Sequence, residues 1–425
     1  MDILNINEAP IVDESIQEYE FHEYEPVTGT NLNKPGEIRI NIETQDLFTH
    51  PSQSYLIFEG QLTKSDGSAY ADADLATLTN NALMHLFSNI KYQLSGQEIE
   101  SLFHPGQATT MFGLLTYPDD FGKSEGLNQC WLKDTTDSAA ATNSGFKIRH
   151  EYIVKMSDPK GTFSFRVPLK HIFGFAEDYD KIVYGFKHTL TLVRKSDADG
   201  IFKANAADDG KVNFGKISWF MPHVLPADME KMQLFKTIES KSSLVVGYRM
   251  RQCDSNAVNQ STNFTWRLSV KSSPEKPRYI IVSFQTDREG DQDKNASLFD
   301  HCDLTNMYIM LNSTRYPAVD YNVNFTKNQF SRLYGDASVF RDKYFRMDSL
   351  VSNPGIHPGD YKMLYPIFVF DVSKQSERLK NSVTDIQIKA QFAQNVPAST
   401  TAYALVISDR MLKFQSDGNK MSVVI

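Results

Sequence analysis

Acidic residues stand at every second position in the stretch TDREGDQDKN, residues 286–295: Asp287, Glu289, Asp291 and Asp293. Carboxylates so spaced are the raw material of a calcium loop, because calcium is a hard cation that takes oxygen ligands. The count fails at two points. With Asp287 as position 1, position 6 is Gln292 where the sharp turn needs glycine, and position 12 is Leu298 where the bidentate ligand needs glutamate. The acids at 287–293 therefore read as loop solvation between strands. The ten histidines come no closer in sequence than His171 and His188, so the HExxH and HxxxH pairs that grip a metal from one helix are missing. His301 and Cys302 are adjacent, but neighbours on a strand point to opposite faces and cannot share an ion. There is no GxSxG, Walker loop or GxGxxG. The segments FGKSEG (121–126) and HPGD (357–360) read as surface turns outside any βα context. Only a carboxylate pair built from strands far apart, as in some sandwich glycosidases, escapes a reading by local spacing. The residues nominate no catalytic group, no cofactor site and no metal ligand set, and the expectation is a protein that is not an enzyme.

The elements around these residues fill 425 positions, too many for one ordinary core and enough for two domains of roughly 200 residues. The net charge of −8 is uneven. Asp2, Glu8, Asp13, Glu14, Glu18, Glu20, Glu23 and Glu25 lie in residues 1–33, which hold no Lys or Arg. The remaining body is neutral, which argues against broad binding to nucleic-acid phosphates. Residues 1–33 read as an acidic arm. Its run IQEYEFHEYEP (16–26) interleaves aromatics with acids, too apolar for a purely solvated tail, and points to a role in assembly. Cys130, Cys253 and Cys302 are few, odd in number and far apart, which points to a reducing compartment without a disulfide framework. The opening MDILNINEAP lacks the basic and apolar parts of a signal peptide. No apolar run reaches the ~18–20 residues of a membrane span. Five Asn-x-Ser/Thr matches, from Asn259, Asn263, Asn295, Asn312 and Asn324, read as chance.

Short alternating runs bounded by Gly, Asp, Asn and Pro dominate, the pattern of an all-β protein. IRINI puts Ile38, Ile40 and Ile42 on one face; NIKYQLSG puts Ile90, Tyr92 and Leu94 inward; TFSFRVPL alternates Phe163, Phe165 and Val167; KHTLTLVR alternates Leu190 and Leu192. Turn signals stand at Ser65-Asp66-Gly67, Asp199-Gly200, Asp209-Gly210 and Asp417-Gly418. The second half repeats the order. NFTWRLSV, with Phe264, Trp266, Leu268 and Val270 on one face, answers IRINI. RYIIVSFQTD (278–287) answers SYLIFEGQLT (54–63), NMYIMLNS (306–313) answers NIKYQLSG (89–96), and DIQIKAQF (385–392) answers KHTLTLVR (187–194). Four weak matches in one order indicate an internal duplication. Each half carries one helix-spaced apolar stripe, Met111, Leu114 and Leu115 in the first, Phe330, Leu333 and Tyr334 (with Phe340 and Tyr344 beyond) in the second. The predicted division is an arm at 1–33, a first β-sandwich at 34–226, a linker helix at 227–240 begun at Asp228, and a second sandwich at 241–425.

With this plan in view, the chain resembles the double jelly-roll major capsid proteins of the tailless-phage and adenovirus lineage, and most of all the hexon-like capsid proteins of Polinton/Maverick elements and adintoviruses. YEPVTGTNLNKPGEIRINIETQDLFTHPSQSYLIFEG (24–60) resembles the opening of their first roll, and FSFRVPLKHIFGFAEDYDKIVYGFKHTLTLVR (163–194) its closing strands. PRYIIVSFQTDREGDQDKNASLFDHCDLTNMYIMLNSTRYP (277–317) resembles the centre of the second roll, and YPIFVFDVSKQSERLKNSVTDIQIKAQF (365–392) its end. The resemblance is diffuse, over about residues 24–410, without one invariant signature. It implies two tandem eight-stranded jelly rolls with short inserted helices, and three chains forming a pseudo-hexameric capsomer of an icosahedral shell around double-stranded DNA. It implies further copies of the chain, penton proteins and minor capsid proteins as partners, and the virion as location. A carbohydrate-binding or carbohydrate-active β-sandwich is the alternative; it would need aromatics in a groove, whereas here they alternate inside strands.

Overall fold

The computed structural model describes residues 14–240, 243–269, 276–348, 355–375, 384–416 and 421–424. Asp2, Glu8, Asp13, Val270 and the Asp417-Gly418 turn lie outside them. Sixteen of the described strands form the framework of two sandwiches of matching plan. The first contains β1 (Ile16–Tyr24), β2 (Gly36–Ile42), β3 (Tyr55–Lys64), β4 (Phe87–Leu94), β5 (Gln97–Phe103), β6 (Thr162–Pro168), β7 (His188–Arg194) and β8 (Gly210–Pro226). The second contains β9 (Leu244–Val258), β10 (Asn263–Arg267), β11 (Lys276–Thr286), β12 (Leu304–Leu311), β13 (Thr314–Tyr316), β14 (Phe368–Asp371), β15 (Ile386–Phe392) and β16 (Thr400–Ser416). One sheet of the first sandwich runs β1-β8-β3-β6 and the other β2-β7-β4-β5. In the second sandwich they run β9-β16-β11-β14 and β10-β15-β12-β13. All these pairings are antiparallel, and each strand of the first half has its counterpart eight strands later. Two eight-stranded jelly rolls in tandem are the result.

Alternation explains the register. Ile40 of β2 faces Leu190 of β7, which faces Tyr92 of β4, and all three are buried. In the second roll Trp266 faces Ile388, which faces Ile309. A one-residue slip would turn each of these sets to solvent. Burying one such side chain contributes about 1.5–3 kcal/mol, so register is firmly set. Helices fill the connections: α1 (Pro105–Thr116), α2 (Gly174–Asp178), α3 (Asp228–Glu239), α4 (Ser331–Ser338) and α5 (Phe340–Phe345). Every residue of α1 is buried, and its Met111, Leu114 and Leu115 join one apolar core that runs through both rolls. The second stripe is broken into α4 and α5 at Val339.

Three local expectations change. Residues 16–24, expected within the arm, are β1, paired with β8 from Ile16–Pro226 to Tyr24–Trp219. Glu18, Glu20 and Glu23 interleaved with aromatics hid this strand, because an edge strand exposed on both faces carries little hydrophobic alternation. HPGD opens a helix, Pro358–Met363, with His357 as its N-cap and Pro358 at the position where a missing N–H costs nothing. Asp199-Gly200 closes a buried 3-10 turn in place of an open one. The linker helix forms as expected over Asp228–Glu239, although Ala227 holds the cap position and Asp228 lies in the first turn. None of the helices among the described residues is long and apolar enough to cross a membrane.

Candidate functional site

The residues with the densest polar chemistry sit where the two rolls meet. β9 is the edge of its sheet, and a bare edge exposes N–H groups that recruit foreign strands. Here carboxylates of the first roll cap it. The Arg251 N–H donates to Glu100 Oε1 at 2.8 Å, and the Arg249 N–H donates to Asp178 Oδ2 at 2.7 Å. Glu100, on β5, also accepts the N–H groups of Gly174 (3.1 Å) and Phe175 (2.9 Å) at the start of α2. Burial pushes its carboxyl up to about 7, opposed by those three donors and by the Arg251 charge. The Arg251 guanidinium is itself buried, donates to Glu177 Oε2 at 2.5 Å and lies 3.8 Å over the Phe112 ring. Arg249 grips Asp178 through Nε at 2.9 Å, donates to the Tyr344 carbonyl at 2.7 Å and stacks 3.7 Å over the Tyr344 ring. The Tyr248 hydroxyl adds a 2.6 Å bond to the Ile99 carbonyl. Gly174 is required: a Cβ there would sit 1.7 Å from the Arg249 carbonyl oxygen.

The acidic loop at 287–293 is a second clasp at the same junction. Asp287, Glu289 and Asp291 are exposed. The residues between and after them reach across to the first roll. Arg288 is buried and donates to Asp137 at 3.1 Å and to Asp300 at 2.8 Å. The Gly290 N–H donates to Asp199 Oδ1 at 2.7 Å, and Gln292 exchanges two bonds with the Gly210 backbone, at 2.8 and 2.9 Å. Against the cost of burial, Asp293 and Asp209 hold the Lys203 ammonium above its ordinary value, with Asp293 at 2.5 Å. Asn295, one of the Asn-x-Ser/Thr matches, is wholly buried and donates to Asp134 Oδ2 at 2.8 Å. Asp134 also takes a two-pronged bond from Arg149 at 2.8 and 2.9 Å, both side chains fully enclosed. Sequence reasoning recognised the loop and its exposed acids; it missed Arg288, Gln292 and Asn295, whose partners lie up to 161 positions away.

The other groups flagged in the sequence do not converge. No group of three or more His, Cys, Asp or Glu among the described residues is placed to hold a metal ion. Burial drives His85, His171 and His188 down to about 3, and raises the Cys130 thiol to about 11 and the Cys302 thiol to about 12. All three cysteines are free thiols. Phe163, Phe165 and Trp266 are core residues. What this arrangement does physically is hold two sandwiches side by side as one block, through capped edge N–H groups, buried ion pairs and a shared apolar core.

Comparison with known proteins agrees with this architecture. The Sputnik virophage structure solved by cryo-electron microscopy superposes with a TM-score of 0.63 at 10% identity, covering 100% of this chain and 91% of that chain. The VP54 protein of the virus PBCV-1, fitted into a Sputnik reconstruction, gives 0.58 at 10% identity with 98% and 99% covered. The major capsid protein of mavirus gives 0.51 at 13% identity with 98% and 91% covered. No curated protein sequence matches. The profile of one family, the double jelly roll-like domain, matches residues 76–412, from the first roll through most of the second. With most of its length inside that match and both rolls complete, this chain belongs to the double jelly roll-like domain family.

Proposed function

We propose that this protein is the major capsid protein of a double-stranded DNA virus or virus-like element, of the kind carried by Polinton/Maverick elements and adintoviruses. The observation that carries the reading is the close pairing of two jelly rolls with matching strand order. Two equivalent rolls fixed side by side form one third of a six-fold ring, so three chains supply six rolls and a pseudo-hexameric capsomer. Such capsomers tile an icosahedral shell, with penton and minor capsid proteins completing it and the virion as its location. The role is structural and non-enzymatic. Support comes from the viral capsid proteins that share the fold, and from a neutral body that packs at high density without self-repulsion. A carbohydrate-binding role lacks a specific observation in its favour, since Phe163, Phe165 and Trp266, which alternate inside the strands, are buried in the core. The division into rolls at 34–226 and 241–425 joined by 227–240 is retained in the proposal with β1 added to the first roll; residues 1–15 are the remaining arm. Electron microscopy of the purified chain tests the reading: pseudo-hexagonal particles or shells are expected, and featureless monomers contradict it.

A further inference from the structure

The two rolls are equivalent, but their edges are not equally covered. In the second roll, edge strand β9 is seated on β5 and α2 of the first roll, with its N–H groups at 249 and 251 capped. Its counterpart β1 pairs with β8 alone among the described strands, and eight of its nine residues are exposed. The counterpart of β5 is β13, the edge of the second roll's other sheet. The chain thus uses one edge pair internally, β9 with β5, and leaves the matching pair, β1 and β13, as sheet edges with one partner strand each among the described residues.

We propose that β1 of one copy docks on β13 of the next copy, repeating between chains the junction that β9 and β5 make within one. This rests on the capsid reading above and assigns the residues that close the trimer. A head-to-tail contact of this kind closes into a ring when its rotation fits; six rolls step by one sixth of a turn from roll to roll, so three chains step by one third from copy to copy. The registers make the correspondence residue by residue. Tyr24 faces Trp219, and Gln252 faces Val406; Leu56 beside Trp219 and Ile280 beside Val406 are matched positions of the duplicated stretches. Phe21 therefore corresponds to Arg249 and Glu23 to Arg251. The chemistry is inverted at these places: the internal junction sets arginines on carboxylates, whereas β1 presents Phe21, 45% exposed, among Glu18, Glu20 and Glu23, the last paired with Lys216. The β13 end offers the complement. Val319 is 65% exposed, with Arg315 and Arg332 nearby; Arg315 is bonded to Asp320, and Arg332 to the Val319 and Asp320 carbonyls. Inverted chemistry also keeps the two junctions from being exchanged, since β1 on β5 would set acids against Glu100 and Asp178.

The test places p-benzoylphenylalanine at Phe21 in the full chain and mixes heavy- and light-isotope copies before irradiation. Heavy–light cross-links between residues 14–25 and residues 311–335 support the proposal. A trimer whose cross-links fall elsewhere overturns it and leaves the capsid reading standing; a chain that stays monomeric overturns both. Independently, Val319→Glu puts an acid opposite the acids of β1 and is expected to raise the concentration for half-dissociation of the trimer about tenfold or more. Met229→Glu, at an equally exposed position on α3, leaves it unchanged. Equal dissociation for the two variants contradicts the proposal.

Discussion

Asp134 is the residue on which both rolls hang. It holds Arg149 within the first roll and Asn295 from the second, with its carboxylate fully enclosed. Removing one partner of an enclosed ion pair leaves an uncompensated charge, so Asp134→Ala is expected to destabilise by about 3–5 kcal/mol. Replacing both partners, with Arg149→Met and Asp134→Leu, is expected to cost much less; denaturant unfolding of the single and double variants checks the difference. Gly174 is constrained by approach rather than by φ. Gly174→Ala drives a methyl into the Arg249 carbonyl and is expected to cost about 1–3 kcal/mol, measured as a lower unfolding midpoint. None of these roles was legible in the sequence. Glu100 and Arg251 stand 151 positions apart, and nothing in local spacing ties a strand acid to a strand arginine at that range. The loop acids stand out because they alternate, and Asp293 among them binds Lys203 of the first roll; the other binding residues, Arg288, Gln292 and Asn295, show no pattern of their own.

At the scale of elements, alternation carried most of the fold. β2, β3, β4, β7 and their counterparts β10, β12 and β15 bury one face more deeply than the other, while β11 is buried on both faces from Tyr279 to Gln285; these are the strands whose matches revealed the duplication. β1 and β9 escaped for opposite reasons: β1 is exposed nearly throughout, and β9 has its polar positions satisfied by the other roll. That junction gives β9 and β5 a distinct response to pH. Glu100 is raised in the fold above its ordinary 4.5 to about 7, so the folded state binds its proton more tightly than the unfolded chain. Its contribution is full below 4.5 and is lost as pH rises through 7. The histidines act in the opposite direction. His85, His171 and His188 are lowered from 6.5 to about 3, so their contribution is full above 6.5 and declines as pH falls. Comparing Glu100→Gln with the parent isolates the first effect. The unfolding free energy of the parent, relative to the variant, is expected to fall between pH 4.5 and 7; a difference independent of pH contradicts the assignment.

At the scale of the whole molecule, the duplication read from four short matches is the duplication seen in the sheets, and on the proposed capsid reading it makes one chain a third of a ring. The acidic arm is now shorter than its charge pattern indicated, because β1 belongs to the first roll. Deletion of residues 1–13 is expected to leave trimers intact and to impair shell formation, read by electron microscopy. Deletion through Tyr24 is expected to remove the trimer as well, because it takes away an edge strand. The central claim is that three chains make the working unit. Size-exclusion chromatography with light scattering at micromolar concentration measures it directly. The mass predicted is about 145 kDa, three times the 48.3 kDa of one chain; a single species at the mass of one chain would contradict the account.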